Sequence, residues 1–412
     1  MAATQMAQSS AQPMPAEQRR RLGLAFSSFI LIGANDAALG VLLPSIIAHY
    51  GIDKATAALL FPASTLGFLL AAFNSGMLLE RLGRRAYLVV GAGLFLIGAG
   101  LVVLTPPFPL LLPALFVIGF GEALLDAGFN AYVAGLPRNS ALLNYLHAFY
   151  GAGALLGPLI ASVILARSWG WNVTYLVWLL GGILAVIGFA RVFDGQGAAA
   201  KAARSKGGAD QAPGLLGTTL RMRFVWICAL FLFLYVGAEV SLGSWSYSLL
   251  TESRGQGPLL AGWMVSGYWL GLTIGRVVLG RVAERIGASR LILWCLVGVL
   301  AAALLFWPAP NGFLNALALL LAGFSLGPIF PSTIAVVGRV MPLRLQPTAI
   351  GFLASLGSMG GAAFPWLAGN LAQRFGLWSL LPFVAALAAA MIALWLMLQR
   401  SVETDTVSLA RG

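Results

Sequence analysis

Twelve stretches of about 20 or more mostly apolar residues run through this chain, each long enough to cross a hydrocarbon layer roughly 30 Å thick as a helix. They cover approximately 22–48, 55–79, 86–104, 109–135, 141–166 and 170–193, then 222–250, 258–282, 289–308, 311–338, 345–372 and 377–399. We number them spans 1 to 12. Inside lipid each backbone N–H and C=O must be satisfied within its own segment, so stretches of this kind predict helices. Composition agrees: 59% of the 412 residues are apolar and only 9% charged, with a mean hydropathy of +0.89. A soluble protein carries roughly 25% charged residues and could not cover its surface with so few. Glycine is also abundant, at 50 residues, as expected where helices pack closely in a membrane. The chain reads as an all-α membrane protein.

Segment 194–221 (from Asp194-Gly-Gln-Gly to Arg221) is small, polar and rich in glycine and alanine, and reads as a flexible linker. It divides the chain into a six-helix bundle over 22–193 and a second over 222–400, with tails at 1–21 and 401–412. The first apolar stretch contains Asp36 and is too long for a signal peptide, so it reads as a retained helix. Net charge is +12, a balance that in a soluble domain would suggest nucleic acid. Here the basic residues fall in short loops, which points to anionic membrane lipid and away from nucleic acid. With both termini placed in the cytoplasm, 21 of the 25 Lys and Arg lie on that side. Only Lys54, Arg167, Arg254 and Arg374 lie outside. Arg138 is among the 21. Cys228 and Cys295 sit within spans and form no CxxC or metal-ligand pattern.

The halves are repeats. Gly76-Met-Leu-Leu-Glu80-Arg81-Leu-Gly83-Arg84-Arg85 follows span 2, and Gly280-Arg-Val-Ala-Glu284-Arg285-Ile-Gly287 follows span 8 at an offset of 204. The same offset lays Gly33 on Gly237, Asn35 on Glu239 and Gly119 on Gly323. Parallel repeats around a midplane cavity are a transporter architecture.

Four acids lie deep inside spans: Asp36, Glu122, Asp126 and Glu239. Each costs about 2.5–3.5 kcal/mol at a bilayer centre on insertion scales, so together they would cost ~10–14 kcal/mol, comparable to the net stability of a whole protein, ~5–15 kcal/mol. They must face a wet cavity, find partners or carry protons. Glu122, Asp126 and Asn130 fall at i, i+4 and i+8 on one helix face. Two carboxylates one turn apart resist ionising together, which suits one of them to proton carriage. His147 in span 5 is either a structural residue or a relay beside these acids. Tyr268 and Trp269 in span 8 are candidate sugar platforms. Trp245 and Tyr247 lie nearer the outer end of span 7, where an interfacial belt is an equal alternative, and Trp263 reads as belt. Gly327-Pro328 and Phe330-Pro331 predict a break in span 10. Arg276 most simply snorkels to the membrane surface.

With these residues in view, the chain resembles the major facilitator superfamily over nearly its whole length. The Gly76–Arg85 loop is similar to the G-x-x-x-D-R-x-G-R-R pattern of that superfamily, with Glu80 in place of the usual Asp. The resemblance implies the major facilitator fold of two six-helix bundles and a monomer. It also implies a charged latch of Gly76, Glu80, Arg81, Gly83, Arg84, Arg85, Glu284 and Arg285 that pairs in one state and separates in the other. The first half most resembles the proton-coupled fucose permease group. The matching residues are Asn35-Asp36, Leu125-Asp126-Ala-Gly-Phe-Asn130 and Asn144-Tyr-Leu-His147-Ala-Phe. In that group the span 1 Asp and a span 4 carboxylate, typically Glu and here Asp126, are implicated in proton coupling and sugar binding. His147 stands where the group has glutamine, and Tyr150 where it has asparagine.

The resemblance implies proton coupling through Asp126 and Asp36, to which the shared helix face adds Glu122. Substrate contacts would come from Asn35, Asn130, Asn144, His147, Glu239, Tyr268 and Trp269. The function expected is proton-coupled symport of a sugar across the cell inner membrane by alternating access, with the proton as coupling ion and no cofactor or metal. The alternative is a proton-driven antiporter exporting amphipathic compounds. Gly153-Ala-Leu-Leu-Gly157-Pro158-Leu-Ile-Ala161-Ser162 resembles the antiporter G-x-x-x-G-P-x-x-G-G pattern without its final glycines. No nucleophile–base spacing, zinc ligand set or phosphate loop suggests an enzyme.

Overall fold

The computed structural model describes residues 14–136, 139–193, 215–308 and 311–409, and every regular element in them is helical. Most of the linker (194–214), residues 1–13 and 410–412 of the tails, and Arg138 lie outside the described residues. Span 1 is Ala16–Tyr50, span 4 Phe108–Ala134, span 5 Asn139–Ala166 and span 6 Val173–Val192. Span 7 is Arg223–Ser248, ending in a π-turn at Leu249–Ser253. Spans 8 and 9 are Pro258–Ile286 and Ala288–Phe306. Spans 11 and 12 are Gln346–Phe375 and Leu380–Leu409.

Ten helices of the described residues are long and apolar enough by themselves to cross a membrane. Two further crossings come from the exceptions. Leu60–Val103 is a continuous run of 44 residues, about 66 Å at 1.5 Å per residue, twice what the bilayer needs. It is spans 2 and 3 joined at Gly83, whose φ of 74° and ψ of 159° break the helix. That positive φ is where glycine belongs. Pro258–Ile286 is long enough at 29 residues, but its Gly, Ser, Thr, Trp and Tyr content makes it less apolar. The fold is therefore twelve membrane-spanning helices in two bundles of six.

Element edges depart from the expected ones where no helix breaker stands. Span 1 begins at Ala16, directly after Pro15, so the arginines of the expected tail continue its helix. Span 12 runs to Leu409, because Ser401–Leu409 holds neither glycine nor proline. Leu215–Leu220 adds a short helix within the expected linker. Outside the spans, Asp53 caps Lys54–Ala57 by accepting from the Thr56 N–H at 2.7 Å, a bond that holds its carboxyl below the usual carboxylate range.

The repeat is visible in packing. A side chain on Gly119 would collide with the carbonyl oxygen of Ser64, and one on Gly323 with that of Tyr268. Both the glycines and their partners are 204 residues apart.

The apolar core shows how the halves meet. One buried cluster runs through the second half and across into the first half at the end holding Leu42, Leu60 and Leu111. The other is confined to the first half near Leu22, Tyr87 and Phe129, toward the arginine-rich loops. The bundles are thus joined at one end and parted at the basic end.

Candidate functional site

Asp36 is the only residue from Ile32 to Leu43 that is not buried. A carboxylate in the middle of a span reaches water there, in the gap between the bundles. Tyr150 on span 5 donates its hydroxyl to Asp36 Oδ2 at 2.9 Å. Tyr150 comes that close because spans 1 and 5 pack backbone to backbone: a side chain on Gly33 would strike the Tyr150 carbonyl oxygen. Gly153 and Gly157 meet Ile30 and Ala34 in the same way, so helix contact accounts for the glycines of the antiporter-like stretch. Asn144 and His147 are exposed on the face of span 5 that also carries Tyr150, three residues apart in succession. His147 stands edge-on to Phe29.

The span 4 acids are each held by an amide. Asn35 donates to Glu122 Oε1 at 3.0 Å, with both residues buried. Asn130 donates to Asp126 Oδ1 at 3.1 Å and to the Asp126 carbonyl at 3.0 Å. Glu122 is within electrostatic reach of both Asp36 and Asp126. The structure therefore gathers Asp36, Glu122 and Asp126, with Asn35, Asn130 and Tyr150 as their donors.

The second half is arranged differently. Glu239 faces Arg276, with Nη2 3.6 Å from Oε1. Arg276 does not snorkel: its Nε donates to the Gly327 carbonyl at 3.2 Å. That carbonyl is free because the residue four positions on is Pro331, which has no N–H, in a span 10 broken between Gly312–Leu326 and Ile329–Val340. Tyr268 is corrected as a platform. It is fully buried and donates to the Glu239 carbonyl at 2.8 Å, so it fixes span 7 rather than offering a ring face. Trp269 is half-buried, edge-on to Tyr268 at 5.2 Å, with an indole N–H that has no partner among the described residues. Trp245 and Tyr247 are buried, and Trp245 donates to the Pro365 carbonyl at 2.9 Å, so neither belongs to an interfacial belt. Trp263 is exposed. Among the described residues no three His, Cys, Asp or Glu converge as a metal site.

Tyr150 and Arg276 are the site residues missed in the sequence. Spacing from His147 marks the face of Tyr150, whereas nothing in one sequence pairs Arg276 with a residue 37 positions away.

The two ends of the molecule complete the geometry. At the joined end Lys54 Nζ lies 2.8 Å from Glu252 Oε2, the Lys54 N–H donates to Gln373 at 3.0 Å, and Gly40 packs against the backbone of Ser244. Each of these contacts links one half to the other. At the basic end Glu80, Arg81, Arg85, Glu284 and Arg285 are exposed and, among the described residues, make no ion pair. The Arg84 guanidinium lies 5.2 Å over the Tyr132 ring of its own half. A side chain on Gly76 would meet nothing within 4 Å beyond its own helix among the described residues.

The family profile of the Major Facilitator Superfamily matches residues 25–255 and 241–412. "Bypass of stop codon protein 6" of Saccharomyces cerevisiae is 27% identical, the match covering 89% of this chain and 79% of that protein. The "Glucose/mannose transporter GlcP" of Bacillus subtilis is 23% identical over 93% of this chain and 96% of its own. In structure, the nucleoside transporter NupG superposes with a TM-score of 0.74 at 13% identity, covering 94% of this chain and 99% of its own. The fucose:proton symporter FucP of Escherichia coli gives a TM-score of 0.60 at 18% identity, covering 92% and 98%.

Proposed function

This chain belongs to the Major Facilitator Superfamily and is an integral membrane transporter of small molecules, not an enzyme; on that premise we propose that it is a proton-coupled sugar symporter working by alternating access. The observation that carries the proposal is Asp36, water-exposed in mid-span, bound by Tyr150 and flanked by two further carboxyls on amide donors. Carboxyls with neutral donors can bind and release a proton without stranding an opposite charge. Asp126 carries the coupled proton, and Asp36 reports whether substrate is bound. The glucose/mannose relative supports the sugar class. The glycines of the antiporter-like stretch have a packing role and lend no weight to export of amphipathic compounds.

In this reading the protein sits as a monomer in the inner membrane with both termini and the basic end in the cytoplasm. In the same reading the state described here faces inward, with the outer end joined. No cofactor is needed beyond the proton. Uptake of radiolabelled sugars and amphipathic cations into proteoliposomes under an imposed pH gradient tests the function. Gradient-driven uptake of one or more sugars is expected; movement of cations alone would overturn it. Single cysteines in 194–221 should react with impermeant reagents only from the cytoplasm, and labelling from outside intact cells would reverse the orientation.

A further inference from the structure

The Glu239–Arg276 contact is a long one. At 3.6 Å it is longer than the 2.7–2.9 Å of a charge-assisted N–H···O bond. The guanidinium is anchored from behind, since its Nε is engaged by the Gly327 carbonyl. A side chain on Gly327 would collide with the Leu272 carbonyl oxygen and come within 2.8 Å of the Arg276 backbone nitrogen, so glycine is what lets span 10 pack backbone to backbone on span 8 beside this arginine. Its terminal nitrogens lie on the Glu239 side, where the Tyr235 hydroxyl also comes within hydrogen-bonding reach of both Arg276 and Glu239. The Arg276 side chain is 38% exposed and that of Glu239 12%, so the pair opens on the same gap as Asp36. Across that gap, Arg276 is within electrostatic reach of Tyr150 and His147.

We propose that Arg276 and Glu239 form the sugar subsite of the second half, gripping two adjacent hydroxyl groups of an uncharged sugar. This rests on the symport reading above and narrows it. Arg276 donates to one hydroxyl oxygen while Glu239 accepts from its neighbour, so two short hydrogen bonds replace one long contact. Adjacent hydroxyl oxygens lie about as far apart as a hydrogen-bonded pair, roughly 2.8 Å, which suits a carboxylate beside a guanidinium. The sugar is uncharged because four midplane carboxyls, Asp36, Glu122, Asp126 and Glu239, face one guanidinium. An anion would enter a field of its own sign. Closing the gap then brings the opposite edge of the same sugar to Asp36, whose Oδ2 is taken by Tyr150.

The test is binding to the purified full chain in nanodiscs, read by tryptophan fluorescence, with D-glucose, D-mannose, the 2-, 3-, 4- and 6-deoxyglucoses and D-glucuronate as probes. Two adjacent deoxy positions should each weaken binding to the wild type about tenfold. Glu239→Gln and Arg276→Gln should weaken glucose to a similar degree, with no further loss for the deoxy sugar that lacks the matching hydroxyl. Arg276→Lys, which keeps charge but not the fork, should fall between. Equal weakening of every sugar by these variants would make the pair structural and overturn the proposal. So would a wild type indifferent to any adjacent pair of hydroxyls, which requires no variant to fold. Glucuronate binding more tightly than glucose through Arg276 would overturn the uncharged class. Binding of no neutral sugar would sink the symport reading with it, whereas sugar binding without the selective losses sinks this subsite alone.

Discussion

The two halves repeat each other in packing and part company in charge. Asp36, Glu122 and Asp126 correspond at the 204-residue offset to Val240, Leu326 and Phe330, while Asn35 corresponds to Glu239. The first half holds three acids on neutral donors: Tyr150, Asn35 and Asn130. The second holds one acid against a guanidinium. Neutralising an acid of the first kind leaves a satisfied or easily satisfied group. Neutralising Glu239 strands Arg276, which in a dry site costs roughly 3–5 kcal/mol and less where the arginine is partly exposed. Duplicated backbones with divergent charge thus suit one half to moving protons and the other to holding substrate.

The largest effect that can break this comparison comes from Asp126→Asn, which mimics a permanently protonated carrier. It should abolish uphill accumulation driven by a pH gradient, yet retain exchange of substrate across the membrane, because the neutral carrier still reorients. Asp36→Asn should weaken both, since its one amide oxygen can receive Tyr150 but leaves no second acceptor oxygen and no charge for substrate or proton. Glu239→Gln should keep coupling while losing affinity. Accumulation against a gradient by the Asp126→Asn protein would hand the coupling role to Glu122 or Glu239 and erase the division of labour.

A smaller effect, on stability, sharpens what neutral donors do. Asn35→Leu leaves Glu122 buried without its hydrogen bond and should cost about 1–3 kcal/mol, seen as a lower unfolding temperature in detergent. Asn35→Leu with Glu122→Leu removes both polar partners and should recover most of that loss. A double variant as unstable as the single would mean that the pair is not what holds spans 1 and 4 together here.

Apolar length, the glycine repeat and mid-span acids were legible in the sequence because each is a local pattern with one physical reading. The single helix over spans 2 and 3 is no failure of that logic, since Gly83 marks the turn. Helix phase was not legible. Span 8 carries Tyr268, Trp269 and Arg276 within nine positions, and their spacing does not say which faces the gap. Tyr268 turned inward to the Glu239 carbonyl, and Arg276 found a carboxylate where snorkelling was expected, because span 7 supplies a partner that no local pattern announces. By depth alone an interfacial place is an equal alternative for Trp245, but the Pro365 carbonyl of span 11 holds it in the core.

The loops at the basic end repeat the asymmetry at lower stakes. Glu80-Arg81 and Glu284-Arg285 correspond, but Arg84 and Arg85 face Ala288 and Ser289 at the same offset. If the extra arginines of the first half close the latch, Arg84→Ala should shift the inward–outward balance by about 1 kcal/mol, roughly fivefold, while affinity within either state stays unchanged. Identical spin-label distances across the basic end in wild type and Arg84→Ala would remove the latch from the mechanism.

The smallest effect belongs to the joined end, where each half contributes one partner: Lys54 from the first and Glu252 from the second, 2.8 Å apart. Their side chains are 21% and 34% exposed, so solvent screens the pair and it should be worth about 0.5 kcal/mol. Lys54→Ala should therefore raise the population open at this end by roughly twofold at low ionic strength. The shift should fade in 1 M salt, where screening acts over about 3 Å. Labels on spans 1 and 7 at that end would report it as a longer distance. Because Gly40 and Ser244 meet there backbone to backbone without any charge, a distance that ignores both Lys54→Ala and salt would assign the closure to packing alone.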